Sequence, residues 1–335
     1  MKLNDYFKAF IGNISLNPQR IERIERAFNT WEQIFKNDEE LSDMLVDFYK
    51  QGSYATGTAV KPQNGNEFDV DSVIVLDFDN DVTPKEAIDK LAERMKSNEA
   101  YKDKISKHNR CIRVNYAGDF HLDVVPAKPT LAQYILIPNR KEDDWEKTNP
   151  RGYAAWANAK GSGFKKVVMM VKYWRDRSVG KDTAPKSILL TTIIGDHYTA
   201  SSSDAEKLVF TLENLVKNIG NYLVNGEPYV GNPALPGENL ARDWDRKKYD
   251  IFKGKLKKFA EDARDALDEE DKEKSIEKWN AIFGNAFPTQ LPEAADTAAK
   301  VASGAVFINE KGNINTDSGV AVKGHRFYGV SGYGE

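Results

Sequence analysis

The stretch Asp69–Phe78, DVDSVIVLDF, decides how the rest of the chain reads. Its valines, isoleucine and leucine run almost without interruption, the pattern of a strand covered on both faces. Two aspartates, Asp69 and Asp71, stand at its start. Side chains at i and i+2 of a strand point to one face, roughly 7 Å apart. Two carboxylates so placed repel each other and lose solvation when buried. Apart from Lys61 the neighbouring sequence offers little positive charge, so a divalent metal is the economical partner. A hard, oxygen-only pair suits Mg²⁺.

A third carboxylate is within reach. The segment DFHLDVVPA (residues 119–127) alternates Phe120, Leu122 and Val124 on one face with His121, Asp123 and Val125 on the other. If this strand lies near the first, Asp123 joins Asp69 and Asp71. Three carboxylates can hold two Mg²⁺ ions, with Mn²⁺ as a substitute, about 3.5–4 Å apart, an arrangement used for in-line phosphoryl displacement. Ahead of them, DFYKQ reads as a short strand, and Gly52-Ser53 opens SYATGTAV, read as a short helix. Glycine lets backbone approach a phosphate closely, and serine adds a hydroxyl at a helix start. An isolated Asp-x-Asp also fits a solvated strand entrance, and an isolated Gly-Ser fits a turn. The ordered combination points to a triphosphate bridged to metals.

The bulk composition agrees with a globular enzyme. Of 335 residues, 40% are apolar and 30% charged, and the net charge is −3. That balance speaks against a salt-driven binder of long nucleic acid but leaves room for single nucleotides. One cysteine, Cys111, allows no internal disulfide and suits a reducing cytoplasm. The N-terminus MKLNDYFKAFIGN lacks the apolar run of a signal peptide, and no stretch approaches the roughly 20 apolar residues of a membrane span. His108, His121, His197 and His325 are too scattered for a zinc site and read as surface or core histidines.

Outward from the aspartates, NPQRIERIERAFNTWEQIF reads as a long amphipathic helix carrying Ile21, Ile24, Phe28, Trp31 and Phe35, with Asn17 as N-cap and Pro18 in the first turn. Thr83 and Glu86 form a capping box before another helix, with Pro84 at its first position. CIRVNYA pairs with DFHLDVVPA as a hairpin through Ala117-Gly118, so residues from about 48 to 128 form an α/β unit. After Pro126 and Pro129 the chain turns helical in GFKKVVMMVKYWRDR, APKSILLTTIIGDHY and DAEKLVFTLENLVKNIG. YVGNPALPGENLARDWD reads as a loop. A charged helical region follows from about Trp244 to Asn280, and loop or tail from about Asn285.

The ordered set Gly52-Ser53, Asp69-x-Asp71 and Asp123 resembles the nucleotidyltransferase superfamily related to DNA polymerase β. The spacing from Ser53 to Asp69 is somewhat longer than usual, the excess falling in the turn PQNGN. MVKYWRDR followed by APKSILLTT narrows the resemblance to the bacterial cGAS/DncV-like nucleotidyltransferases, or CD-NTases, and KWNAIFGNAFP resembles their C-terminal pattern. The resemblance covers about residues 48 to 290, and the N-terminal helix fits the family's spine helix. It implies an α+β fold: a polymerase β-like palm packed against a C-terminal helical subdomain. The boundaries would be 1–150 for spine and palm, 151–290 for the helical subdomain closing the cleft, and 291–335 for a tail.

By motif position the resemblance assigns Lys172 and Ser187 to the donor triphosphate, beside Gly52 and Ser53. From its own pattern, Lys172 lies at the edge of an apolar face made by Phe164, Val167, Val168, Val171 and Trp174, where a snorkelling surface lysine also fits. Ser187 lies near a helix start around Thr183 to Pro185, which ordinary capping also explains, and Lys186 beside it is a further phosphate candidate. Several relatives carry a base-stacking aromatic where this chain has Ile188, so stacking would come from Tyr54 or Tyr173.

The implied activity joins nucleoside triphosphates, ATP among them and GTP, UTP or CTP as candidates, into a cyclic di- or trinucleotide. The resemblance further implies a monomer in antiphage (CBASS) signalling, whose product acts on a separate effector. The glycine-rich end GHRFYGVSGYGE is compatible with a regulatory partner acting on the C-terminus, and equally with a plain disordered terminus. Two rivals stand beside this reading. One is a template-free RNA- or tRNA-directed nucleotidyltransferase, which the weak basicity opposes. The other is a catalytically silent nucleotide-binding scaffold, which has no need of three clustered carboxylates.

Overall fold

The computed structural model describes residues 1–63, 68–116 and 120–291, and beyond them the backbone of three two-residue strands. Met1–Thr289 form one compact unit. Its first helix, α1 (Asn4–Ile14), buries Tyr6, Phe7, Phe10 and Ile14. The backbone becomes extended at Ser15, and α2 (Pro18–Asn37) begins where the Asn17 side chain accepts the Arg20 N–H and Pro18 fills the first turn. Ile24, Phe28, Trp31 and Phe35 of α2 enter the core, while Ile21 stays at the surface.

A single turn, α3 (Leu41–Met44), leads into β1 (Leu45–Lys50), and α4 (Gly52–Ala55) follows. Then come β2 (Phe68–Leu76), α5 (Pro84–Lys96), β3 (Ile105–Lys107), β4 (Ile112–Asn115) and β5 (Phe120–Ala127). The Thr83–Glu86 capping box starts α5 as expected. The sheet order is β1-β2-β5-β4-β3, with β2 and β5 parallel and the other pairs antiparallel. The expected turn at Ala117-Gly118 lies outside the described residues.

Strand periodicity divides the two faces of this sheet. Val70, Ile74, Leu122 and Val124 pack with α2 and α5 in the main core. On the other face Val73, Val75 and Ala127 meet Tyr49, Ile135 and Ile137. Asp69 and Asp71 belong to that second face, two steps and one step before Val73. The apolar end of the face is covered, and the acidic end opens into a cleft.

The chain continues through a hairpin, β6 (Ile135–Asn139) and β7 (Asp144–Thr148), and the helices α6 (Pro150–Ala159), α7 (Gly161–Ser178), α8 (Ser187–His197) and α9 (Asp204–Asn218). Two small ladders, β8 (Leu223–Val224) with β9 (Glu227–Pro228) and β10 (Gly231–Asn232) with β11 (Leu235–Asn239), precede α10 (Arg246–Asp268) and α11 (Lys272–Phe283). Helix α7 is buried at every residue from Val167 to Arg175. Helix α1 joins this helical half: Phe7 and Phe10 pack against Trp279, Phe283 and Phe287, with the Phe10 and Phe283 rings 4.4 Å apart.

Three local expectations need correction. The supposed loop from Tyr229 to Asp245 contains the β10–β11 ladder, held by Asn239 side-chain bonds to the Val230 and Ala241 N–H groups. Helix α8 begins at Ser187 itself, later than Thr183 to Pro185. After Asn285 the chain is not all loop: Gly284–Ala286 form a helical turn. In the second unit, Gln290–Glu335, β12 (Phe307–Ile308) pairs antiparallel with both β13 (Ile314–Asn315) and β14 (Val320–Ala321). The glycine-rich end GHRFYGVSGYGE lies outside the described residues.

Candidate active site

The parallel register places Asp71 opposite Asp123 and Asp69 opposite His121. The three aspartates therefore share one face across two adjacent strands, as their alternation in the sequence predicts. Asp71 is half-buried, and its carboxyl is pushed up to about 6, first by desolvation and then by the charges of Asp123 and Asp69.

Two basic side chains whose place local pattern did not reveal stand beside these carboxylates. Arg113, opposite Asp123 on β4, donates from Nε and Nη2 to the two Asp123 oxygens at 2.7 and 2.8 Å and lies 3.8 Å from Asp69. His121 Nε2 pairs with Asp69. The expectation that Lys61 was the main local cation is thus corrected, and His121 is not an ordinary core histidine. Only the cross-strand register reveals these pairs.

The donor set suits a divalent cation. Asp69 and Asp71 present hard oxygens, and the raised Asp71 carboxyl marks repulsion that a bound dication would relieve. Asp123 can add an oxygen while Arg113 keeps the other lone pairs, because a carboxylate has about four acceptor positions. Among the described residues, no three His, Cys, Asp or Glu side chains are already gathered into a metal cage. The chemistry of the set fits Mg²⁺, with the acidic groups still spread among internal partners.

Gly52 closes over this cluster. Its φ is +65°, and a Cβ there would lie 2.3 Å from Asp71 Oδ2. Glycine is needed for both backbone conformation and space. The Gln51 N–H bonds the Asp71 carbonyl at 2.8 Å, fixing the approach. Ser53 follows in α4, which at four residues is too short to supply the helix-start field expected of it. The Ser53 hydroxyl remains available beside the cluster.

These groups line one cleft of about 980 Å³ between sheet and helices. Gly52, Ser53, Asp69 and Asp71 lie on one side, and Lys172 and Ser187 on the other. Lys172 is not a surface snorkeller: it is 6% exposed, and Nζ donates to the Thr58 carbonyl at 2.9 Å. Burial, then the charge of Arg175, depresses its ammonium to about 8. Arg175, one helical turn further, donates to the Pro185 carbonyl at 2.9 Å and to Ser187 Oγ at 3.2 Å. It therefore sets the start of α8, a role that the i, i+3 spacing from Lys172 could have signalled.

Lys186 points away to Asp243, outside the cleft lining. Tyr54 bonds Glu25 and Tyr173 packs on Phe10; neither lines the cleft, which corrects both stacking candidates. The aromatic ring in the lining is Tyr153, whose hydroxyl joins the Ile188 carbonyl and Thr192 at the start of α8. Residues 64–67, holding the end of the PQNGN turn, lie outside the described residues.

Comparison with known proteins follows the same lines. Residues 1–160 match the model of the Second Messenger Oligonucleotide or Dinucleotide Synthetase domain. A c-di-GMP synthase from Roseivirga ehrenbergii is 29% identical over 275 residues, 72% of this chain and 73% of that protein. A cyclic AMP-AMP-AMP synthase from an Acinetobacter species is 27% identical over 314 residues, 90% of each. The structure of the Bradyrhizobium diazoefficiens CD-NTase CdnG in complex with GTP superposes with a TM-score of 0.72 at 18% identity, covering 85% of this chain and 96% of that one. Among the described residues, no helix is long and apolar enough to cross a membrane.

Proposed function

We propose that the chain is a cyclic oligonucleotide synthase of the cGAS/DncV-like nucleotidyltransferases (CD-NTases), to which its family match and relatives point, and that its cleft joins nucleoside triphosphates into a cyclic di- or trinucleotide second messenger, releasing pyrophosphate. The observation that carries this reading is the in-register set Asp69, Asp71 and Asp123, of which Asp69 and Asp71 line a cleft whose opposite wall bears Lys172 and Ser187.

Asp69, Asp71 and Asp123 would hold two Mg²⁺ ions, with Mn²⁺ as substitute. When bound, the ions supply positive charge to the attacking hydroxyl and the departing phosphates. Asp123, fixed in plane by Arg113, stands nearest the attacking ribose hydroxyl. Ser53, Lys172 and Ser187 bind the donor triphosphate, and Gly52 leaves room for it. The hydroxyl oxygen attacks the α-phosphorus, the α–β anhydride breaks, and pyrophosphate leaves with the electron pair. A second round closes the ring.

ATP is the first candidate substrate, with GTP, UTP and CTP as further ones. The two relatives' names, one guanine-only and one adenine-only, leave base choice open. In the wider reading the enzyme acts as a monomer in the cytoplasm in antiphage (CBASS) signalling, its product reaches a separate effector, and a regulatory partner acts on the C-terminus. Incubation with all four nucleoside triphosphates and Mg²⁺ or Mn²⁺, followed by mass spectrometry of phosphatase-resistant products, tests the chemistry. The double variant Asp69→Asn, Asp71→Asn should keep its fold and lose product. Undiminished product from it would sink the mechanism, and transfer to labelled RNA would favour the RNA-directed rival.

A further inference from the structure

The wall of the cleft has a second side. A separate cavity of about 780 Å³ lies between the end of α1, the end of α7 and the Gly284–Ala286 turn. That volume is within the roughly 300–1,000 Å³ range of small-molecule sites. Residues Lys61, Pro62 and Gln63 line both cavities. Helix α7 divides its side chains between them: Lys172, Arg175 and Asp176 face the cleft, while Tyr173 and Arg177 face the second cavity.

The charge of this cavity is one-sided. Among the described residues its lining contains Lys61 and Arg177 and no aspartate or glutamate. Neither cation has a hydrogen-bond or ion-pair partner among the described residues. By contrast, Arg113 and Arg175 are each fully engaged by neighbouring acceptors. The position of the Arg177 guanidinium is set by Gly284, whose φ is +62° and whose missing Cβ would lie 2.4 Å from it. The cavity walls are tied down. Lys61 N–H bonds the Ile14 carbonyl at 2.8 Å, Asn13 bonds the Ala286 carbonyl at 2.9 Å, and Gln63 bonds the Tyr173 carbonyl at 3.1 Å. An unneutralised guanidinium and ammonium in a polar, nucleotide-sized hollow are matched by phosphate oxygens.

We propose that this cavity binds a phosphate-bearing small molecule of nucleotide size, and that its occupancy is felt in the catalytic cleft through the shared wall of α7 and residues 61–63. The binding claim stands by itself; the coupling claim rests on the cleft being the transfer site. Because Arg177 is exposed and unpartnered, Arg177→Glu should leave the melting temperature unchanged.

Equilibrium dialysis with labelled ATP in EDTA then counts sites on the full chain. A site additional to the donor and acceptor sites of the cleft, weakened at least tenfold in Arg177→Glu while the cleft sites are unchanged, supports the proposal. Binding indifferent to the substitution overturns it and leaves the cleft reading intact. One site that disappears with the substitution supports it while removing the cleft reading. No binding to either chain overturns it. Coupling predicts that product rate against ATP concentration is biphasic in the wild type and a single hyperbola in Arg177→Glu; single hyperbolas of equal midpoint in both overturn that part.

Discussion

The guanidinium of Arg113 spans both oxygens of Asp123, at 2.7 and 2.8 Å, and so occupies the carboxylate that closes the acidic cluster. It neutralises one of three like charges at the place where burial makes repulsion most costly. Arg113→Met should therefore destabilise the metal-free protein by about 2 kcal/mol, the order expected for stranding one partner of a half-buried pair. Urea unfolding in EDTA measures this. An unchanged midpoint would mean that the pair is only decorative.

Gly52 and Asp71 make a second prediction. Because a Cβ at Gly52 would collide with Asp71 Oδ2, Gly52→Ala must either push that carboxylate aside or move the loop. Product formation should fall at least about a hundredfold, the scale of a misplaced catalytic group. The stability loss should stay near 1–3 kcal/mol, as for other strained backbone positions. Product assays beside thermal melts separate the two effects.

Lys172 gives a pH signature. Its ammonium titrates near 8 in the folded chain against an ordinary 10.5, so the unfolded chain holds the proton more firmly between those values. Below pH 8 the lysine is charged in both states and its full burial cost, roughly 3 kcal/mol, weighs on the fold. As pH rises through the 8–10.5 window that cost is relieved, and stability contributed by this site increases. Lys172→Met should be more stable than wild type at pH 7, lose this pH dependence and bind triphosphate more weakly. Denaturation at pH 7 and pH 9.5, with nucleotide binding alongside, checks all three outcomes.

Arg175 lines the cleft and donates to Ser187 Oγ at 3.2 Å. Removing the guanidinium in Arg175→Met should free the start of α8 and raise the KM for nucleoside triphosphate about tenfold, with a smaller change in kcat, the pattern of lost ground-state binding. Arg175→Lys should recover little, since one ammonium cannot bridge the Pro185 carbonyl and Ser187 together. Steady-state kinetics on both variants tests the assignment.

The period of two in DVDSVIVLDF and DFHLDVVPA made the acidic face legible, and the capping signals at Asn17 and Thr83 located two helix starts. Arg113 and His121 were hidden because their roles depend on which strand lies beside which, a matter of register rather than local pattern. Pattern alone left Lys172 between a groove and a surface position because α7 is enclosed nearly all round, so its apolar stripe does not mark one buried side. The β10–β11 ladder was masked by Pro233, Pro236 and Gly237, which read as loop until Asn239 supplies the bonds that hold it. Helix α1 escaped notice because its aromatic residues have their partners far along the chain, at Tyr173 and at Trp279 to Phe287.

That last arrangement sets a timetable for synthesis. Phe7 and Phe10 are made first, yet the rings that bury them, Trp279, Phe283 and Phe287, are made some 270 residues later. At ribosomal speeds the first helix waits on the order of tens of seconds for these rings, with Tyr173 of α7 reaching Phe10 on the way, while the palm that follows can already assemble around α2. Closure of the helical half is thus a late, long-loop event, slow by its topology. A nascent chain stopped before Lys272 would carry a sticky N-terminus that the finished protein never displays.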